Sequence, residues 1–378
     1  MNVLIVGGGI TGSALAILLA RAGVTVDVAE LEPAWSTVGS GITLQGNALR
    51  VLRELGVWER VKAGGYGFDS FGMRAPDGTL LFERPDMRTG GPDLPATLGM
   101  YRPDLQAVLV DAALEAGARI TLGRTVVALQ DRAGGAADGG GGCAVTFDDG
   151  STGAYDLVVG ADGIHSAVRA LIGVDARPQP VGMGIWRVHA RRPESVRRTD
   201  LVYGGPCYIA GYCPTGEDTL YAYLVEKARD RASVPPGEKA DLMRALAEPY
   251  GGAWQEIRRD ITDPARVNYT WFESLLVERP WNRGAVVLVG DAAHACPPTL
   301  AQGAAMCLED ALVLAELLLE RGTADQALFD AFMDRRFERV RTVVESSLML
   351  ARWQMTPSPE ADVPGLMGRT ATMLSELP

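Results

Sequence analysis

MNVLIVGGGITGSALAILLARAGVTVDVAE, residues 1–30, sets three glycines directly after a short apolar run and follows them with an apolar-rich stretch. Val3 to Val6 suits a strand buried on both faces. From Gly12 to Ala22 the pattern is helical, with Leu15, Leu18 and Leu19 on one side, and Gly23 stops it. Val24 to Ala29 alternates β-branched residues and ends at Glu30. This is a βαβ unit, whose parallel crossover is right-handed. Gly7-x-Gly9-x-x-Gly12 falls at its strand-to-helix turn. There the first glycine permits the tight turn, the second lets backbone approach a pyrophosphate, and the third lets helix pack on strand. The helix N-terminus, with its unpaired N–H groups, favours the anion. Glu30, eighteen residues after Gly12, stands where a carboxylate accepts from a ribose diol. Gly7, Gly9, Ile10, Thr11, Gly12 and Glu30 are thus candidate dinucleotide contacts. The fingerprint alone does not choose between FAD and NAD.

The rest of the chain sets bounds. Its 378 residues allow two or three domains, and 47% apolar with 22% charged residues is globular composition. A net charge of −11 argues against a nucleic-acid partner. Five cysteines, an odd number without a CxxC, fit a reduced compartment rather than a disulfide framework. The N-terminus has no basic leader, and no apolar run reaches the roughly 18 residues of a membrane span. The expectation is a soluble, cytoplasmic protein without membrane attachment.

Asn47 is read as the cap of a helix with Leu49, Leu52 and Leu55 on one face. Pro76-Asp77-Gly78 marks a hairpin, and Pro103 opens a helix. Short strands are expected at 120–122, 126–129 and 144–147, with the glycine-rich 134–142 as a hairpin loop. Tyr155 to Gly160 and Val286 to Val289 read as further buried strands. Between them, 181–272 is mainly aromatic-rich strand with one helix near Lys239 to Ala247. A long helix with Leu308, Leu312, Ala315 and Leu319 on one side follows. The first domain is therefore left twice and re-entered.

Two later motifs refine this. DLVVGADGIHSAVR (156–169) carries Asp162-Gly163, and VVLVGDAAHACPPTLAQGAAMCLEDA (286–311) carries Gly290-Asp291 and then Ala301-Gln302-Gly303 at a helix start. With the fingerprint, these resemble, in order, the signatures of the class A flavoprotein monooxygenases, the 4-hydroxybenzoate hydroxylase-like family, over roughly residues 2–320. The resemblance implies an α/β fold: a Rossmann-like FAD-binding domain, an inserted mainly antiparallel β-sheet substrate domain, and C-terminal helices. The expected division is 1–69, 100–180 and 275–378 for the FAD-binding domain with its helices, and 70–99 with 181–274 for the substrate sheet.

The resemblance also distributes roles. Asp291, at the carboxyl end of a buried strand, is placed to accept from the ribityl hydroxyls; a helix cap is its alternative. The helix opening at Ala301, Gln302 and Gly303 aims its positive end at the flavin, with Pro298 beside the ring. The family has glycine where this chain has Ala301, which puts the local geometry in question. Arg102 reaches the flavin's sugar or phosphate, or is a surface arginine. Asp162 sits near the diphosphate, Arg169 pairs with acid groups to hold its loop, and Val127 joins the cofactor contacts. His165, His189 and His294 show no metal-ligand spacing, so no metal is expected, and His294 packs behind the Asp291 loop. By strand parity Tyr221, Tyr223 and Ile209 are substrate candidates, with Leu44 and Gln45 weaker ones; ordinary sheet packing is the alternative.

The activity implied is that of a single-component monooxygenase with non-covalent FAD. NADH or NADPH visits as co-substrate, and O2 yields a flavin hydroperoxide that hydroxylates a small phenolic or nitrogen-heteroaromatic acid. An FAD-dependent reductase or oxidase of the same fold, or a non-catalytic flavin-binding protein, are the alternatives. Monomer and homodimer both remain open, and no catalytic side chain is assigned.

Overall fold

The computed structural model describes all residues except 38, 133–141 and 231–232. Most of the glycine-rich loop expected at 134–142 therefore lies outside the described residues. The fingerprint unit forms strand Asn2–Val6, helix Ile10–Arg21 and strand Thr25–Glu30. Val3 pairs in parallel with Val26 on one side and with Leu157 on the other. Strands Leu157–Gly160, Val286–Leu288 and Arg119–Leu122 extend this parallel sheet, and the short Asn282–Arg283 adds an antiparallel edge, six strands in all. Burial of Asn2–Val6 and Leu157–Gly160 on both faces explains their unbroken apolar texture.

A second, eight-stranded sheet has the order His294–Ala295, Val267–Leu276, Gln179–Arg191, Thr219–Lys227, Ile209–Pro214, Thr199–Val202, Ser70–Arg74, Leu80–Pro85. It is antiparallel except where Thr199–Val202 runs parallel to Ser70–Arg74. The hairpin expected at Pro76-Asp77-Gly78 joins its last two strands. This is the α/β architecture with an inserted, mainly antiparallel sheet that the motifs imply.

Register sorts the sheet's two faces. Trp186, Tyr212 and Ala222 turn to the back, where Trp254 and Met243 meet them. Trp254 belongs to Ala253–Asp260, a second helix in a region where the sequence predicts only Lys239–Ala247. Eight residues with two buried apolar positions, Trp254 and Ile257, are too short for a periodic signal. Arg187 pairs with Tyr223 and His189 with Tyr221, so these four share the front face. Helices Gly303–Arg321, Gln326–Met355 and Val363–Ser375 complete the chain. Among the described residues no helix is long and apolar enough to cross a membrane.

Candidate active site

Glycines bring the three motifs into contact. Gly7 has φ +103°, and a Cβ on it would lie 2.4 Å from the Ala161 carbonyl oxygen. A Cβ on Gly290 would lie 2.4 Å from the Thr11 hydroxyl. No side chain fits at either place, so fingerprint, Asp-Gly loop and Gly-Asp loop meet at the carboxyl edge of the parallel sheet. Gly9 is different. A Cβ there would meet nothing within 4 Å, and the helix it opens has no side-chain cap. The first-turn N–H groups of that helix thus have no side-chain cap and the space beside Gly9 is open, the arrangement an anion needs.

Glu30 is held by this turn: its carboxylate accepts from the backbone N–H of Gly8 at 2.7 Å and of Glu32 at 2.9 Å. The Trp35 ring lies against Gly8, only 2.6 Å from where a Cβ would stand. Gln106, on helix Arg102–Glu115, donates to the Gly8 carbonyl at 2.6 Å. Neither Trp35 nor Gln106 belongs to a motif, and only the folded chain identifies them.

Asp162 turns its carboxylate into its own loop, accepting from the Ser166 hydroxyl at 2.5 Å and the Val168 N–H at 3.0 Å. Burial pushes its pKa up against those bonds. Its backbone, not its side chain, borders Gly7. Arg169 holds the loop, but not through acids. It donates to the carbonyls of Ala176, Ala292 and Ile164 at 2.9, 3.0 and 2.9 Å. Five fixed donors fit several carbonyls as well as one carboxylate. Val127 is exposed on strand Val126–Arg132.

Asp291 is half-buried, and among the described residues its side chain has one hydrogen bond, from the weakly donating Cys307 thiol at 3.6 Å. Burial raises its pKa, opposed by the charges of His294 and Arg102. It caps no helix: the turn Gly290–Ala292 has no side-chain cap. Arg102 itself is exposed at the head of its helix.

The loop after it reaches helix Gly303–Arg321 through Pro298–Leu300 and Ala301. Ala301 takes φ +54°, the one left-handed non-glycine among the described residues. Its methyl there costs about 1–2 kcal/mol relative to the right-handed region. Gln302 is buried and accepts from the Asn47 amide at 3.0 Å. The expected Asn47 cap does not form. Asn47 lies inside helix Gly46–Glu54 and also donates to Glu309 at 3.0 Å. A buried carboxylate is the stronger partner.

Glu309 belongs to a buried ionic cluster. It accepts from Arg336 and from Arg339, each at 2.7 Å. Asp310 accepts from Arg336 and from His294 at 2.7 Å, and from the Gly290 N–H at 2.8 Å. Burial alone would raise the Asp310 pKa, yet facing His294 and Arg336 hold it at about 2. His294 sits behind the Asp291 loop, its ring 5.2 Å from that of Trp281. Arg339 further donates to the carbonyls of Met373, Leu374 and Glu376, tying the last helix to this cluster. The signal was present: two adjacent acids in an apolar helix, and two arginines three apart in another.

A cavity of about 280 Å³ opens between the Pro298–Gln302 loop, the front of the eight-stranded sheet and the last helix. Gln45, Tyr223, Pro298, Ala301 and Gln302 line it. Leu44 does not; it is fully buried in the main core. Ile209 does not line it either; it packs with Met183 and Ile185 in a cluster shared with the lining residues Leu201, Tyr203 and Tyr223. Tyr221 touches Tyr223, ring centroids 5.1 Å apart, and accepts from Arg187 at 3.2 Å behind the lining.

Residues 1–347 match the family described as FAD binding domain. The chain belongs to the class A flavoprotein monooxygenases. It is 30% identical to the putative FAD-dependent monooxygenase YetM of Bacillus subtilis over 377 residues, 99% of either chain. It is 32% identical to a 2-heptyl-3-hydroxy-4(1H)-quinolone synthase of Pseudomonas aeruginosa, covering 95% of this chain and 91% of the relative. Its structure is similar to that of Klebsiella pneumoniae HpxO complexed with FAD and uric acid, with a TM-score of 0.80 at 22% identity over 99% of this chain and 92% of that one. At that identity the likeness speaks for the fold.

Proposed function

We propose that this flavoprotein hydroxylates a small aromatic or heteroaromatic ring, using NAD(P)H and O2. The Asp291 carboxylate carries the reading: half-buried and, among the described residues, served only by a thiol, it suits the hydroxyl-rich ribityl chain of FAD. Beside it the open N-terminus at Gly9 and the turn from Gly7 to Gly12 suit the pyrophosphate, with Ile10 and Thr11 contributing N–H groups. Glu30 keeps lone pairs for the ribose, Arg102 sets a positive charge near Asp291, and Asp162 shapes the loop under Gly7. Pro298, Ala301, Gln302 and the N-terminus of helix Gly303–Arg321 form the floor of the cavity.

Bound FAD supplies the redox chemistry between NAD(P)H and dioxygen. The chain's own residues bind it, orient the substrate ring and keep the cavity dry. The separation of the six-stranded from the eight-stranded sheet, most of whose strands lie within 70–99 and 181–274 with His294–Ala295 added at one edge, supports division into an FAD-binding part and a substrate sheet.

Purified protein is tested for FAD released by acid, and for aromatic-stimulated NAD(P)H oxidation with 18O2. The expected result is FAD in solution and one 18O atom in the product. FAD-bound protein with oxygen-independent turnover would mark a reductase. Protein that binds no flavin overturns the reading.

A further inference from the structure

The cavity's chemistry is uneven. Phe71, Met73, Leu201, Tyr203, Tyr223 and Met367 make most of its wall apolar. One corner is polar, formed by Gln45, Asp86 and Thr97. There the Thr97 hydroxyl lies 3.1 Å from the Gln45 side-chain oxygen and 3.3 Å from the Asp86 carboxylate. It has one hydrogen to give, so one of those acceptors lacks a donor from Thr97. The Asp86 carboxylate otherwise accepts from the Met87 N–H at 2.9 Å. Burial raises its pKa, with the Thr97 and Met87 bonds and the Arg84 charge lowering it and Asp69 raising it. Asp69 is itself paired with Arg88 at 2.8 Å.

Cations are nearly missing from this lining. Among the described residues Arg84 is the one basic side chain there; it is exposed on the edge strand, 6.0 Å from the Phe71 ring centroid. A carboxylate taken into an apolar cavity needs a cation or several donors to replace its water. Here it would meet another carboxylate. A ring N–H or O–H would instead supply the donor this corner lacks.

Resting on the reading of the chain as an aromatic monooxygenase, we propose that the cavity takes a neutral aromatic substrate bearing a ring N–H or O–H and apolar substituents, receives that donor on Asp86, and rejects aromatic carboxylates. This narrows the substrate class and departs from the aromatic acid expected from the sequence. It also gives Asp86 a direct substrate contact.

The test uses FAD-loaded enzyme and three probes: 2-methyl-4-hydroxyquinoline, the same ring with carboxylate in place of the 2-methyl group, and the N-methylated 4-quinolone of the first. Binding is read from perturbation of the flavin absorbance, independently of turnover. The methyl probe is expected to bind about tenfold or more tighter than either of the others, the size of one lost buried hydrogen bond or one uncompensated charge. In Asp86→Asn, with FAD content and melting compared to the parent, the preference over the carboxylate probe narrows. The N-methyl comparison, made on unaltered enzyme, stands even if that variant fails to fold. Equal or tighter binding of the carboxylate probe, no loss on N-methylation, or no binding by any probe overturns the proposal. If the binding order holds while no probe stimulates oxygen-dependent NAD(P)H oxidation, the cavity inference stands and the monooxygenase reading is what fails.

Discussion

Asp291→Ala separates the cost of a ligand site from the benefit of a structural one. Among the described residues the carboxylate receives only the Cys307 thiol at 3.6 Å, and burial raises its pKa. A folded-state pKa above the unfolded one means that the native state binds the proton more readily. Ionised Asp291 therefore costs the apo fold stability at neutral pH, and that cost fades as pH falls through the raised pKa. Removing it leaves the urea midpoint of the apo protein at pH 7 unchanged or raised. Flavin affinity responds in the opposite sense. Ribityl hydroxyls lose a charged acceptor, worth about 1–3 kcal/mol, or roughly 5- to 150-fold in Kd. The assay is FAD titration into both apo proteins, read by quenching of flavin fluorescence, beside urea melts without flavin. A lowered apo midpoint with an unchanged Kd would refute the argument, because it would place the carboxylate's work inside the fold.

Arg339→Met removes two bonds to Glu309, two to carbonyls of the last helix and one to the Glu376 carbonyl just beyond it. The expected loss is about 3–5 kcal/mol in denaturant melts, with faster amide exchange across Val363–Ser375; a change under about 1 kcal/mol would show that the cluster does not anchor that helix. His189, stacked on Tyr101 at 4.1 Å between ring centroids, has its pKa lowered to about 4 by burial and by Arg266, with Asp260 opposing. Its neutral form stabilises the fold above the unfolded-state pKa near 6.5, and that contribution is lost as pH falls toward 4. Wild type should lose up to about 2 kcal/mol relative to His189→Gln over that range, after allowance for partial solvent exposure. Parallel pH–stability curves for the two proteins would contradict it.

The sequence revealed what depends on neighbours in the chain, and concealed what depends on closure of the fold. Gly7, Gly9 and Gly12 were readable because a strand, a turn and a helix follow one another within about twenty residues, Gly12 having to clear the Gly7 carbonyl and Gly9 leaving the turn open. Asn47 was misread as a cap because a polar residue near a helix start has that role by local rules. Its actual partner, Glu309, lies 262 positions away, and a buried carboxylate outcompetes a helix end. Arg169 illustrates the same point with the right task and the wrong partners, since carbonyls from three loops cannot be seen in one motif. Asp86 shows why cavity residues are hardest of all. In the sequence it is one acid among the charged residues flanking an exposed hairpin. It becomes a cavity residue only when Met367, Thr370 and Leu374 from the last helix close over the sheet. That helix is held in turn by Arg339 on Glu309, the carboxylate that also holds Asn47 and, through it, Gln302. One buried acid thus links the Pro298–Gln302 loop to the helix that closes the cavity. The motifs are contiguous in the chain, whereas the cavity is assembled by this long-range closure.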